Sequence, residues 1–234
     1  MKLKLLLILL ILLLFDNYYS QIEVDNAAPY NSPVTLIDSI LLGGGVVSSN
    51  HSFQGDAIQV GYFNAINTNL NMDSGIVLST GNINALDPNF NGIINTPNNS
   101  VTDPDLLNVA NSVPGLIGQS FNVSGVFDVA LLEFDFIPNS DTLVFDYIFG
   151  SNEYLQWVNS QYNDVFGFFI SGPGITGPYS APSGFPNGSL NIATVPNSNP
   201  PLPITISSIN NVLNSNYYIN TVSYTHLRAH ETRI

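Results

Sequence analysis

Apolar and polar residues alternate over most of this chain in short runs. "VVSSNHSFQG", "DAIQVGYFN", "SGIVLSTGNI", "FDVALLEFDFIP", "DTLVFDYIFG", "NDVFGFFISG", "LNIATVP" and "LPITISSINNV" are rich in β-branched and aromatic residues. Asn, Gly and Pro separate them, so each reads as a strand closed by a turn. Two stretches break the period of two. In "NSPVTLIDSILLGGGV", Ser32 stands where an N-cap belongs and Pro33 at the first helical position. Ile37, Ile40 and Leu41 follow at helical spacing and Gly43 stops the run, which predicts one short helix. "TDPDLLNVANSVPG", with Asp103 before Pro104, predicts a further helical turn or two. The whole pattern predicts an all-β chain, a mostly antiparallel β-sandwich with one or two short helices. Residues 82–99, rich in Asn, and 172–188, rich in Gly and Pro, read as surface loops.

One pairing follows from the alternation itself. "LLEFDFIPNSDTLVFDYIF" reads as a hairpin with Leu132, Phe134 and Phe136 on one face and Glu133 and Asp135 on the other. A four-residue loop from Pro138 to Asp141 sets Ile137 against Thr142 and hence Glu133 against Asp146. Two acids facing each other across strands are unfavourable unless solvent, donors or a cation intervene. A change of one residue in the loop flips the faces and removes the pairing.

The ends differ from the middle. "MKLKLLLILLILLLF" sets two lysines before an apolar run, the layout of a secretory signal, and cleavage after Ser20 makes residues 1–20 a signal peptide. The run from Leu5 to Phe15 is short for a bilayer, which needs about 20 apolar residues, so no membrane insertion is expected after cleavage. At the other end, "VSYTHLRAHETRI" brings two Arg and two His into thirteen residues. Val222 to Thr232 resemble the translation of an adapter used in sequencing libraries, which makes residues 222–234 a non-native tail outside fold reasoning. The His226 and His230 pair then carries no metal-site meaning. Residues 21–221 remain as one β domain, expected to be truncated at its C-terminal strands.

Charge narrows the chemistry. The four Lys and Arg are Lys2, Lys4, Arg228 and Arg233, whereas fifteen of the seventeen Asp and Glu fall between Gln21 and Thr221. Carboxylates brought together in that segment must be solvated, share a proton, accept hydrogen bonds from neutral donors or bind a cation. Nucleic-acid binding is excluded, because phosphate neutralisation needs Lys and Arg. With no Cys there are no disulfides, thiol catalysis or Cys zinc sites.

Candidate chemistry concentrates in "FGSNEYLQWVNSQYNDVFGFFISGPG". Glu153 and Asp164 are the best carboxylate pair, with Tyr147, Tyr154, Trp157 and Tyr162 around them as rings able to stack on a sugar. Such a set suits calcium, a glycan ligand or a glycosidase, which needs two carboxylates. It also suits a plain alternative, with Asp164 turning the chain into the strand "VFGFFI", Glu153 solvated and the aromatics filling a core edge. "DPNFNG" matches the first half of a calcium loop and makes Asp87 a further metal candidate, although position 12 is Asn98 rather than Glu. "GPGITG", Gly172 to Gly177, has glycine spacing suggestive of a dinucleotide loop, but Pro173 and Pro178 flank it and no helical pattern follows. His51 lies in "SSNHSFQG" without a nucleophile elbow, which favours a solvent-facing or hydrogen-bonded histidine over a catalytic one.

Taken in order, "LLGGGV", "FQGDAIQVGYF", "SGIVLSTGNI", "LLEFDFIP", "DTLVFDYIFGSNEY" and "YNDVFGFFISGPGI" resemble the successive blocks of the choice-of-anchor L domain, from about Thr35 to Tyr218. The family commonly carries two acids where this chain has Asn152 and Glu153, so only Glu153 matches. The resemblance implies a β-rich, non-catalytic extracellular module of a secreted bacterial surface protein, acting in adhesion or surface structure. It also implies a C-terminal sorting anchor beyond the residues present, and it supplies no catalytic residues. The expected partners are an extracellular surface or a glycan, and the one expected cofactor is Ca2+.

Overall fold

The computed structural model describes residues 22–42, 46–68, 70, 72–86, 100–140, 142–219 and the backbone of 230–233. The strands are β1 (Glu23–Asp25), β2 (Val47–Gln54), β3 (Val60–Asn64), β4 (Ser74–Leu78), β5 (Leu131–Ile137), β6 (Val144–Tyr147), β7 (Phe169–Ile170), β8 (Leu190–Asn191) and β9 (His230–Arg233). Every pairing among them is antiparallel. The expected all-β class is what the chain adopts, distributed over small sheets: β1-β3-β4, β2-β5, β6-β9 and β7-β8. No helix among the described residues is long and apolar enough to cross a membrane.

The first predicted helix begins as foreseen. Ser32 has the extended backbone of an N-cap, Pro33 opens α1 (Pro33–Thr35), and the chain continues as a π-helical turn over Leu36–Leu41 with Leu36 and Ile37 fully buried. The second is longer than a turn or two. In α2 (Pro104–Leu116) the Asp103 side chain accepts from the Leu106 amide at 2.7 Å, and Val109, Ala110, Val113 and Pro114 line the buried face. Pro114, which reads as a terminator, lies in the last turn. A proline there removes the donor that the Ala110 carbonyl would use. The Asn163 side chain reaches that carbonyl, at a long 3.5 Å.

The 131–147 hairpin does not form. β5 pairs with β2, setting Glu133 against Ser52, and β6 pairs with β9, setting Asp146 against Glu231 in Cα register. β2 offers β5 a longer ladder than the short β6 does, and it carries neutral donors. The Asn50 amide donates to Asp135 at 2.6 Å and the Gln54 amide to Glu133 at 3.1 Å. Of the tail, residues 222–229 lie outside the described residues, as do the signal segment 1–20 and Asp87.

Two apolar clusters hold these pieces. Ile22, Phe63, Ala65 and Leu70 form one, with Val24, Met72, Val77 and Ile148 packed on it. Val113, Ala193, Val195, Leu202, Ile204 and Ile209 form the other, with Tyr147, Phe149, Phe166 and Phe168 against it. Burying one such aliphatic side chain stabilises by about 1.5–3 kcal/mol. The stretch from β6 into Phe149 therefore runs between the clusters: Tyr147 and Phe149 face one, Ile148 the other. Phe145 meets Phe168 edge-on at 4.5 Å, and Tyr147 packs on Phe166 at 5.2 Å.

The C-terminal runs shorten for identifiable reasons. "VFGFFI" makes a bridge at Val165 and resumes as β7 only at Phe169. Between them a Cβ on Gly167 would meet Leu106 of α2 at 2.8 Å, so the chain bends where the helix approaches. "LPITISSINNV" keeps only bridges at Pro203 and Thr205. Thr205, Ser207, Ser208 and Asn210 are buried and bond local main chain: Ser208 Oγ donates to the Pro203 carbonyl at 2.6 Å, and the Asn210 amide donates to the Ser207 carbonyl at 3.0 Å. Short hydroxyl and amide side chains compete in this way with a strand ladder.

Candidate functional site

The loop 150–164 leaves the core at Phe149 and returns at Val165, which bridges Thr205. Its descending arm is fastened along its length. The Ile206 amide donates to the Asp164 carbonyl at 3.2 Å, and the Phe166 amide to the Ile204 carbonyl at 3.1 Å. The Asn159 amide, on a left-handed residue, donates to Ser207 Oγ at 2.9 Å. Asn163, 5% exposed, accepts the Ser207 amide at 3.3 Å while its own amide faces the Ala110 carbonyl. Three bonds, at Asn159, Asn163 and Asp164, thus tie a polar loop to the buried turn 205–210, and the Phe166 bond continues the pairing beyond it.

The predicted carboxylates come together on this loop. Ser151 Oγ donates to Asp164 Oδ2 at 2.6 Å and accepts the Glu153 main-chain amide at 2.9 Å, so one hydroxyl joins the Asp164 carboxylate to the backbone at Glu153. Desolvation raises the Asp164 pKa above its ordinary value, opposed by the Ser151 hydrogen bond. By surface area Asp164 is exposed, so its open side faces solvent while the protein crowds its inner side. Glu153 is raised as well, first by desolvation and then by the negative charge of Asp164. Among the described residues no Lys or Arg side chain accompanies the pair, and no three His, Asp or Glu gather as a ligand set.

The aromatic candidates divide. Tyr147 belongs to the core, which removes it from the site. Tyr154 packs on Tyr218 with ring centroids 5.1 Å apart, and burial raises its hydroxyl pKa strongly, with Tyr218 and Asp164 adding to the shift. Trp157 and Tyr162 meet edge to face at 4.7 Å and remain 36% and 52% exposed, beside Leu155 at 42%. The arrangement is thus neither wholly turn chemistry nor a closed catalytic cleft. Sequence reasoning missed Ser151, Asn163 and Tyr218. The first two lie inside the quoted motif but read as turn residues, and Tyr218 is distant in sequence with no local signal.

Elsewhere the candidates resolve into structure. His51 lies on β2, its Nε2 3.0 Å from both Asp38 Oδ1 and Ser48 Oγ, and Ser48 also donates to Asp38. A Ser-His-Asp triad places serine and carboxylate on opposite ring nitrogens. Here both share one, so the cluster is a hydrogen-bonded histidine tying β2 to the π-helical turn. In "GPGITG", Gly174 takes the left-handed φ of a turn and Gly177 serves packing. A Cβ on Gly177 would run into the Ser189 carbonyl, where the Gly177 amide also donates to the Asn187 carbonyl at 3.0 Å.

Comparison with known families places this architecture. The choice-of-anchor L domain model matches residues 23–232. The chain belongs to the choice-of-anchor L domain family. No curated protein and no solved structure matches it. As a choice-of-anchor L domain it is a bacterial surface-associated module. The match begins at β1, ahead of the motifs that carry the resemblance in sequence.

Proposed function

We propose that the chain is a non-catalytic extracellular module that mediates attachment or builds surface structure, with the loop 151–164 as its binding face. The observation that carries this reading is the exposed Trp157–Tyr162 pair on a loop pinned to the core at Asn159, Asn163 and Asp164. Exposed aromatics on a fixed loop offer contact area at little entropic cost to binding.

Glu153 and Asp164 are the proposed seat of a stabilising Ca2+. A hard cation takes oxygen ligands, and these two carboxylates lie within electrostatic reach of each other, with no Lys or Arg side chain among the described residues. The Ser151 hydroxyl, main-chain carbonyls and water are the remaining oxygen sources, and Asp87, outside the described residues, stays a separate metal candidate. The test is a thermal melt of the chain in excess chelator and again in millimolar calcium or magnesium. A rise of several degrees in calcium alone, lost in Glu153→Gln and Asp164→Asn, supports the cation. Superimposable curves remove it.

The exposure of Trp157 and Tyr162 favours a second reading, a carbohydrate-binding module in which these rings and Tyr154 meet a sugar. Saturable binding on a glycan array that disappears in Trp157→Ala supports it. Turnover of a polysaccharide that vanished in Glu153→Gln would instead make the module a glycoside hydrolase and overturn the non-catalytic reading.

A further inference from the structure

The β1–β3 ladder carries a cleft formed by residues other than those of the loop 150–164. β1 and β3 pair so that Glu23 lies opposite Asn64 and Asp25 opposite Tyr62. Val24 and Phe63, which alternate with them, pack into the core, so these four residues share the outward face. Tyr30, from the turn after β1, stacks on Tyr62 with centroids 4.7 Å apart and an interplanar angle of 19°. Glu23, Val24, Asp25, Tyr30, Tyr62 and Asn64 together line a cleft of about 300 Å³.

We propose that this cleft binds a primary ammonium group, presented as a lysine side chain by a partner protein. Its volume is at the small end of ligand sites, which start near 300 Å³, so it suits one side chain rather than a folded ligand. Its walls are complementary to a cation on two counts. Aromatic rings attract an ammonium through their quadrupoles, and carboxylates accept its charge-assisted hydrogen bonds. Among the described residues the acids meet neutral donors: the Asn64 amide reaches Glu23 Oε2 at 3.3 Å, and the Ala27 amide reaches Asp25 Oδ1 at 2.8 Å. No Lys or Arg between Lys4 and Arg228 competes for the position. β1 is also an edge strand of its sheet, so a partner chain can approach the cleft from the side.

The probe is Nα-acetyl-lysine methylamide, titrated into the full chain by NMR or calorimetry at low ionic strength, beside the neutral Nα-acetyl-norleucine methylamide, which lacks the side-chain ammonium, and glucosamine. The expected result is saturable binding of the lysine amide, at least about tenfold tighter than the norleucine amide and weakened by salt. Glu23→Gln, which keeps the bond from Asn64, and Tyr30→Leu each weaken it, with melting temperatures near that of the parent chain. Equal binding of lysine and norleucine amides overturns the proposal, as does binding unaffected by both substitutions or no binding at all. Preference for glucosamine overturns it in favour of an amino-sugar ligand.

Discussion

Replacing Asn163 by alanine separates an anchored loop from a merely surface one. Asn163 is the buried residue through which the loop meets both the notch at Pro114 and the turn 205–210. Its removal leaves the Ser207 amide and the Ala110 carbonyl without these partners. An unsatisfied buried polar group costs about 1–3 kcal/mol. The contact to Ala110 is long and carbonyls tolerate under-satisfaction better than amides, so the two together come to about 3 kcal/mol. For a chain of this size that lowers Tm by about 6–12 °C. The assay is a thermal melt paired with urea denaturation, where a fall in midpoint at constant slope marks a change in stability rather than in compactness. Gln161→Ala, at an exposed neighbour on the same loop, is the control and moves Tm by about 2 °C or less. Equal, small shifts for both variants would refute the claim that the loop hangs on Asn163.

Three further outcomes follow from other sites. Gly177→Ala forces a Cβ into the Ser189 carbonyl and destabilises by about 1–3 kcal/mol, read as a lower urea midpoint with faster proteolysis within 172–188. Glu153 and Asp164 have raised folded-state values, so the folded chain binds more protons than the unfolded one in the window that opens near 4.5 and 3.8, respectively, and closes at the raised values. Stability contributed there grows as pH falls through the raised values, and Glu153→Gln with Asp164→Asn flattens that part of a Tm–pH profile. Asp38 has the opposite sign, held low first by the Ser48 hydroxyl and further by His51, so its contribution is lost as pH falls below 3.8, and Asp38→Asn removes that acid limb.

The parts of the fold legible in sequence are those with local causes. Ser32-Pro33 and Asp103-Pro104 mark helix starts because capping and a preset φ act within one turn. β3 and β5 stand where their alternation puts them. Partnership was not legible. The residues that take β5 away from β6, Asn50 and Gln54, act across the sheet from far upstream, and no alternation within 131–147 reports them. The extent of α2 was hidden for a similar reason, since Pro114 ends a helix by local rules while Asn163 accommodates it from another segment. At the site, Glu153 and Asp164 were legible as a pair because their spacing allows a loop to close. The division of the aromatics was not, because Tyr147 and Trp157 differ only in which side of Gly150 they fall on relative to the core.

Five carboxylates of this chain are held by amides and hydroxyls: Asp135 by Asn50, Glu133 by Gln54, Asp164 by Ser151, Asp105 by the Ser180 amide and Asp56 by the Ile58 amide. Bonds of this kind carry no opposite charge for dissolved ions to shield, whereas the mutual repulsion of a surface at net charge −13 is shielded strongly. Brine therefore tightens this module where it would loosen one laced with ion pairs.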